Sequence, residues 1–302
     1  MKAKTSLPLK GILLAILCNV LFGTAAPFIK LGYKYWGIGE NIFDTILFAG
    51  IRYFCAGLIV FIFTFISHRR FPIFKKENTG NVLLLAFVYI FLQYFFFFIG
   101  VSNASGTSVS VMNPSSVFIA VIFAHFAYKD DRLNGQKALG VIIGFSGVLF
   151  AALSGSSMGG FSFFGEGFII ITALWFVIGS MINKKATKID DMFTVTSYYF
   201  LLGGVLLIAT GLIGGGRLTG AHTEGVLVLL YLAASSAVSF SIWSWLVKNY
   251  QLGKISVFNF INPVTGVICS ALVLGENILK WQYLLALILV SVGIITVNYK
   301  KE

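Results

Sequence analysis

Long apolar runs, broken by short polar or charged turns, repeat along the whole chain. Most of these runs reach the length of about 18 residues with which a helix crosses a bilayer. The breaks carry turn or charge chemistry, as in HRRFPIFKKENTG, YKDDRLNGQK and GLIGGGRLTG. The pattern predicts an all-α membrane protein. It places ten transmembrane helices at residues 10–32, 42–67, 80–100, 103–127, 137–154, 163–183, 193–213, 225–247, 254–274 and 281–298.

The composition supports a membrane protein and excludes a soluble domain. Hydrophobic residues make up 58% of the chain and charged residues only 11%, against about 25% charged residues in a typical soluble domain. The net charge of +11 therefore indicates basic loops at a membrane surface, and no nucleic acid partner is expected. The expected partners are the lipid bilayer and a small-molecule substrate.

The basic residues are distributed unevenly between the two sides of the predicted membrane. With the N-terminus in the cytoplasm, 17 of the 22 Lys and Arg residues fall on the cytoplasmic side, four fall outside, and Arg52 lies within a span. Such an asymmetry orients multi-pass proteins. We expect a multi-pass protein of the cell (inner or plasma) membrane with both termini in the cytoplasm.

The dipeptide Asn-Pro occurs twice inside an apolar run, at Asn113-Pro114 and at Asn262-Pro263. Aligning the two pairs brings Thr107 into register with Ser256 and Ser110 with Asn259, and, after a three-residue indel, Gln136 with Gln282. This correspondence indicates a duplication with five helices in each copy. Because five is odd, the second copy enters the membrane inverted, as in many transporters. We predict two inverted five-helix repeats, residues 1–154 and 155–302.

The two prolines predict a polar cavity between the repeats. Proline inside a helix costs about 3 kcal/mol and leaves a carbonyl without its partner, which in a bilayer is tolerated only against protein or a water-filled space. The alternative is that the kinks serve packing alone. The candidate cavity residues are Asn19, Gln93, Tyr94, Thr107, Ser110, Asn113, Pro114, Trp175, Ser239, Trp243, Ser256, Asn259, Asn262 and Pro263.

Arg52 is the one ionisable residue that lies clearly inside a predicted span. Such a residue is a functional candidate, and here it would contact a substrate carboxylate. The alternatives are an ion pair with Asp44 or Glu40, or a side chain that extends outward to water. No Asp or Glu lies near a predicted midplane. We therefore expect a neutral or zwitterionic solute, moved by facilitated diffusion or weakly coupled exchange.

The sequence has no GxxxxGK[ST] phosphate-binding pattern and no HExxH metal-binding pattern. We expect no enzyme activity, no catalytic residues, no cofactor and no metal site. Gly140, Gly144 and Gly147 form a small-residue helix face. Such a face either packs within the chain or joins two copies in a homodimer.

Together these features resemble the drug/metabolite transporter superfamily of the EamA type, over essentially the whole chain. The resemblance is carried by the ten spans and by IRYFCAG, which contains Arg52 and Tyr53. It is carried also by the patterns NPSSVFIAVIFAHFAYKD…GVIIGFSGVLF and NPVTGVICSALVLGE…LALILVSVGIITV. The first copy departs from the pattern, with Tyr128-Lys129-Asp130 where the second has Gly275-Glu276.

The resemblance implies a transporter of a small polar or amphiphilic metabolite, such as an amino acid or related compound, that works by alternating access and exports its substrate. Two alternatives remain open at this point. One is transport of a cationic amine or drug-like solute through an aromatic-lined cavity, where ring faces attract the cation. The other is a membrane scaffold that transports nothing.

Overall fold

The fold consists of helices joined by short connections. The computed structural model describes residues 8–39, 41–127, 134–154, 162–220, 222–250, 257–276 and 281–298. Within these ranges every regular element is helical, and the helices form ten segments. They are α1 (Leu9–Tyr35), α2 (Ile42–His68), α3 (Lys76–Asn103), α4 (residues 106–127), α5 (Gly135–Ser154), α6 (Phe163–Ile189), α7 (Met192–Ile213), α8 (Thr223–Asn249), α9 (residues 257–274) and α10 (Trp281–Asn298).

Seven of the described helices are long and apolar enough to cross a membrane, by length and composition. They are α1, α2, α3, α4, α6, α7 and α8, with mean hydropathies from 1.4 to 2.5 over the most apolar stretch of each helix. The helices α5, α9 and α10 are also apolar, but their described apolar stretches are shorter. The chain is therefore an all-helical, multi-pass membrane protein.

The predicted helix positions agree with the structure to within a few residues at each end. The main differences arise because a helix continues past its apolar run. Thus α6 extends from the predicted end at 183 to Ile189, where lysine side chains can reach the water boundary. By contrast, α4 begins at Gly106 because Ala104 is extended and the Ser105 hydroxyl accepts a hydrogen bond from Ser108 N at 3.0 Å.

Several helices are irregular inside the membrane region. Residues Ala86–Leu92 of α3 and Phe163–Gly167 of α6 are π-helical, which the apolar pattern does not predict. In α4 the α-helix stops at Met112 and resumes at Ser115, so Asn113 and Pro114 form a break as expected. π-Helical turns and breaks of this kind often accompany functional sites.

The second Asn-Pro pair has a different local structure from the first. Pro263 is the third residue of the α-helix Ile261–Leu274, which follows a 3₁₀ turn at Val257–Phe260. In the first turn of an α-helix proline is tolerated, because the N–H groups there lack intrahelical partners. The expected mid-helix kink is therefore present at Pro114 but not at Pro263 in the described part of α9.

Glycines bring helices of the two halves into close contact. A Cβ added at Gly50 of α2 would lie 2.5 Å from the backbone nitrogen of Ile208 in α7. A Cβ added at Gly140 of α5 would lie 2.7 Å from the nitrogen of Val297 in α10, and one at Gly147 would be equally crowded. The small-residue face of α5 therefore packs within the chain. A homodimer stays a prediction, but the glycine face of α5 no longer supports it.

The remaining contacts also join the halves. Helix α1 packs against α8 and α9, while α6 packs against α3 and α4. Helix α2 contacts α8 as well as α7, and α3 contacts α7. A core of buried aromatic and aliphatic side chains fills the space between these helices. The arrangement leaves one polar region among the helices that carry the predicted site residues.

Candidate binding cavity

A cavity of about 80 Å³ lies between the two halves, a volume that can hold several water molecules. Seven helices contribute to it: α1, α2, α3, α4, α6, α8 and α9. Its wall combines amide, hydroxyl and guanidinium groups with aromatic rings. Apolar walls with a few converging polar groups are characteristic of small-molecule sites.

Most of the residues predicted from the sequence to line a cavity lie on this one. They are Arg52, Asn19, Gln93, Tyr94, Asn113, Pro114, Ser239, Trp243, Asn259 and Asn262. Asn113 and Pro114, at the break in α4, line the cavity, and Asn259 lies in the 3₁₀ turn that begins α9. Irregular backbone inside the membrane therefore borders a polar space, as the physics of the bilayer requires.

Thr107 and Ser110, two turns and one turn before the break, do not line the cavity. The Thr107 hydroxyl donates to Glu276 Oε2 at 2.6 Å. The Ser110 hydroxyl donates to the Gly106 carbonyl at 2.7 Å and lies against Gly266 of α9. Thr107 thus joins α4 to the segment that follows α9, whereas Ser110 bonds within α4 and packs against α9.

Two other predicted residues, Trp175 and Pro263, do not line the cavity. Trp175 is partly buried on α6, away from the cavity, and its Nε1 makes no hydrogen bond. Pro263 is buried but does not border the cavity, whereas its neighbour Asn262 does. Ser256 lies outside the described residues.

Arg52 is a buried cation at the cavity wall, with 3% of its surface exposed. Its Nε and Nη2 donate to the Ser236 hydroxyl oxygen at 3.2 and 2.8 Å, and its Nη1 has no hydrogen-bond partner. The guanidinium carbon lies 5.1 Å from the ring centre of Tyr53 and 5.7 Å from that of Phe98. Ring faces stabilise such a cation only in part.

Two further polar atoms at the cavity wall are buried without a hydrogen bond. They are the hydroxyl oxygen of Tyr53 and Oε1 of Gln93. The Tyr53 hydroxyl lies near those of Tyr94 and Ser236, yet none of these contacts has hydrogen-bond geometry. A buried polar group without a partner costs about 1–3 kcal/mol. Three such groups on one cavity indicate a site that a polar ligand or water completes.

Aromatic side chains form much of the remaining wall. The Tyr53 and Tyr94 rings lie 4.1 Å apart, between centroids. The Phe240 ring packs edge-on against that of Phe22 at 5.2 Å. The aromatic residues of the wall are Phe22, Tyr53, Tyr94, Phe97, Phe176, Phe240 and Trp243. A ligand there would meet polar groups on one side and rings on another.

The start of α4 is held by carboxylates from the second half. Glu276 accepts hydrogen bonds from Gly106 N and Thr107 N, both at 2.8 Å, in addition to the Thr107 hydroxyl. Glu166 is fully buried and accepts from the Ser108 hydroxyl at 3.3 Å. Negative charge at a helix N-terminus is favourable. These contacts join the start of α4 to the second half of the chain.

Sequence reasoning missed several residues of the wall. Ser236, which accepts the hydrogen bonds of Arg52, is not among the residues predicted from the sequence, although Ser239 on the same helix is. Tyr53 entered only as part of IRYFCAG. The position of Arg52 inside a predicted span was the available signal for Ser236 and Tyr53, because a charge inside a span needs polar neighbours. Phe22, Phe97 and Phe240 gave no signal, because lipid-facing and cavity-facing rings look alike in a sequence.

The chain is similar to a family of known membrane proteins. The sequence model of the EamA-like transporter family matches residues 9–153 and 163–299.

Curated relatives match over nearly their whole length. "Uncharacterized transporter YoaV" of Bacillus subtilis (strain 168) is 25% identical over 287 residues, 91% of this chain and 95% of that protein. "Uncharacterized inner membrane transporter YedA" of Escherichia coli (strain K12) is 25% identical over 310 residues, 99% of this chain and 94% of that protein. "Probable amino-acid metabolite efflux pump" of the same organism is 25% identical over 296 residues, 93% of each protein.

A solved crystal structure shares the fold. It matches with a TM-score of 0.66 over 95% of this chain and 96% of the other chain, at 14% sequence identity. The similarity shows a common helical arrangement.

Proposed function

Because the chain belongs to the EamA-like transporter family, we propose that it moves a small polar or amphiphilic metabolite, an amino acid or related compound, across the cell membrane. The family and the relatives are described as transporters rather than enzymes. One relative is described as a probable amino-acid metabolite efflux pump, which supports export as the direction.

The proposed mechanism is alternating access between two inverted five-helix repeats. The packing of the helices supports it. Exchanging each helix with the one five places later converts the contact of α1 with α9 into that of α6 with α4. In the same way, the contact of α1 with α8 corresponds to that of α6 with α3. The contact of α2 with α8 corresponds to that of α7 with α3. The two stretches matched by the family, 9–153 and 163–299, divide the chain at the same place as the proposed repeats.

The proposed orientation places both termini in the cytoplasm. The distribution of basic residues, 17 of 22 on that side, supports it. In this orientation Glu276 and the start of α4 lie at the outer end of the helices. The hydrogen bonds of Glu276 to Gly106 and Thr107 would then close the cavity toward the outside.

The observation that carries the proposal is the cavity itself. It lies between the halves, takes residues from seven helices and borders the break in α4. In transporters built from inverted repeats the substrate binds at the repeat interface, next to interrupted helices. A cavity of about 80 Å³ requires the walls to move for a larger metabolite, which rocking of the halves provides.

The aromatic wall would also suit a cationic amine, but Arg52 disfavours that substrate. A second cation beside a buried guanidinium is repelled most strongly where water is scarce. The same charge favours solutes with a carboxylate. A non-transporting scaffold loses its main argument, because the α5 glycine face contacts α10 of the same chain.

Coupling to protons is proposed to be weak or absent. No Asp or Glu occurs among the residues that line the cavity in the described part of the chain. A proton relay generally uses carboxylates or histidines along the substrate path. In proteoliposomes, a proton gradient alone should produce no strong uphill accumulation. Accumulation driven by protons alone would contradict facilitated diffusion or weakly coupled exchange.

Counterflow in proteoliposomes tests the transport function. Vesicles containing the full chain and loaded with unlabelled L-leucine or L-phenylalanine should take up the labelled compound faster than vesicles without protein. Ala173→Phe places a ring at the buried cavity wall and should abolish this uptake.

Val205→Phe is the matched control, because it adds a ring on a residue that is 49% exposed and should leave uptake unchanged. Absence of uptake for these amino acids, for the related amines and for the related acids would contradict the proposed function.

A further inference from the structure

The cavity contains a positive charge that the described part of the chain does not neutralise. The hydrogen bonds of Arg52 go to the neutral hydroxyl of Ser236, and its Nη1 has no partner. No described carboxylate lies within ion-pair distance of it. Asp44, the acid considered from the sequence, instead accepts a hydrogen bond from Arg217 N at 2.6 Å. Because burying an uncompensated charge is costly, an anionic ligand group is the missing partner.

The neighbouring polar atoms define the rest of the ligand. Tyr53 presents a hydroxyl without a hydrogen bond, and Gln93 presents an amide oxygen without one. Both line the same cavity as Arg52. Three residues that line one cavity therefore carry a charged donor, a hydroxyl donor and a neutral acceptor that each remain to be satisfied.

On the basis of the proposed function, we propose that this is the recognition site for an α-amino acid in its zwitterionic form. Arg52 Nη1 and the Tyr53 hydroxyl donate to the carboxylate, and Gln93 Oε1 accepts from the ammonium group. Charge-assisted hydrogen bonds of this kind are the strong ones in a buried site. Phe22, Phe97 and Phe240 provide the wall for an apolar side chain.

Other ligand classes satisfy the site less well. A simple carboxylic acid would pair with Arg52 but leave the Gln93 acceptor without a donor. A simple amine would reach Gln93 but would be repelled by Arg52 and leave its charge unmatched. Sites built from buried polar groups reject a ligand that lacks one of the matching groups. The zwitterion is the class that satisfies all three atoms together.

Matched ligands measure this selectivity on the purified full chain. L-Phenylalanine carries both groups, phenethylamine lacks the carboxylate and 3-phenylpropionate lacks the ammonium group. L-Leucine, isopentylamine and 4-methylpentanoate form a second series. Ligand binding raises the unfolding temperature in proportion to the logarithm of ligand excess. The amino acid of at least one series should bind about tenfold more tightly, or better, than its amine and its acid.

Two variants separate the roles of the residues. Arg52→Gln should weaken amino-acid binding about tenfold or more and abolish the preference over the amine. Gln93→Met should reduce the preference for the amino acid over the acid, while leaving the affinity for the acid unchanged. Thr64→Val, on the same helix as Arg52, is the control. Its hydroxyl donates to the Val60 carbonyl at 2.6 Å and it does not line the cavity.

The stability of the ligand-free protein distinguishes ligand recognition from a structural ion pair. If Arg52 awaits a ligand, Arg52→Gln should leave the ligand-free unfolding temperature unchanged or raise it, because it removes a buried uncompensated charge. If Arg52 has a structural acid partner, the variant should unfold at a lower temperature. Glu40 lies outside the described residues. If a ligand is the partner of Arg52, Glu40→Gln should leave amino-acid binding unchanged, and loss of binding in that variant would contradict the inference.

The experiment separates this inference from the proposed function. Wild-type binding of amine and amino acid with equal affinity, or unchanged amino-acid selectivity in Arg52→Gln, overturns the zwitterion site while counterflow still supports a transporter. Absence of counterflow for every compound of both series overturns the transporter as well.

Discussion

At the scale of single residues, Ser236 stabilises the buried guanidinium of Arg52 at the cavity wall. Its hydroxyl oxygen accepts both described hydrogen bonds of the guanidinium. Ser236→Ala should lower the free energy of unfolding by about 1.5–3 kcal/mol, because a hydrogen bond to a charged group has about this value. Chemical unfolding in detergent micelles measures the change. In an Arg52→Gln background the same substitution should have little effect, since the two residues act as a pair.

Ser235→Ala is the matched control for this prediction. Ser235 is adjacent on α8, and its hydroxyl donates to the Leu21 carbonyl at 3.3 Å. This neutral hydrogen bond contributes about 1 kcal/mol or less. Equal losses in the two variants, or an undiminished effect of Ser236→Ala without Arg52, would contradict the assigned pairing.

Individual site residues could be predicted only where their chemistry is unusual in lipid. Asn19, Gln93 and Asn113 could be assigned because an amide inside a span needs a partner. Thr107 carried the same kind of signal, yet its partner is Glu276. Since the sequence does not say which helices meet, a polar residue in a span predicts a polar neighbour but not whether that neighbour is a cavity or another side chain.

At the scale of helices, the break in α4 is expected to matter for transport. In Pro114→Ala the chain regains the N–H that proline lacks, so α4 can continue through residues 113 and 114 and lose its hinge. Pro114→Ala/Pro263→Ala should insert normally but turn over about tenfold more slowly, which corresponds to about 1.4 kcal/mol in the barrier. Counterflow rates at saturating substrate, with protein amounts matched, measure the effect.

The two single variants should differ. Pro114→Ala should account for most of the loss, because Pro114 lies at the break between Met112 and Ser115. Pro263 lies in the first turn of its α-helix, where alanine changes the backbone little. Wild-type turnover in the double variant would show that the prolines serve packing alone.

The contact between Glu276 and the start of α4 is a second prediction at this scale. Its carboxylate accepts from two backbone N–H groups and from the Thr107 hydroxyl. Loss of a capping group costs about 0.5–2 kcal/mol. Glu276→Ala should therefore speed amide hydrogen exchange at residues 106–109 by roughly two- to thirtyfold. Glu224→Ala, at the exposed start of α8, should leave exchange in that segment unchanged.

Helix positions were predictable because a bilayer imposes one length scale on apolar runs. Irregularities within helices were predictable only at proline. The break at Pro114 followed from the missing N–H, whereas the π-helical turn at Ala86–Leu92 contains no proline or glycine. No local sequence rule predicts it.

At the scale of the whole molecule, the number of membrane crossings fixes the side of every loop. Helices α5, α9 and α10 are the short ones. At 1.5 Å per residue, the 18 residues of α10 give about 27 Å, close to the thickness of about 30 Å of the hydrocarbon core. If all three cross, the chain crosses ten times and its termini share a side. If none crosses, seven crossings put the termini on opposite sides and the repeats are not inverted copies.

Fusions to alkaline phosphatase, which is active only outside the cytoplasm, test each crossing. Ten crossings predict activity after Gly39, Gly220 and Glu276, and none after the C-terminus. The fusion after Gly220 reports on α5, because without that crossing residue 220 would be cytoplasmic. The fusion after Glu276 reports on α9 in the same way, and the C-terminal fusion then reports on α10. Because an inverted repeat requires five crossings in each half, an inactive fusion at Gly220 would exclude it. Arg52 and Glu276 would then no longer belong to one path across the membrane.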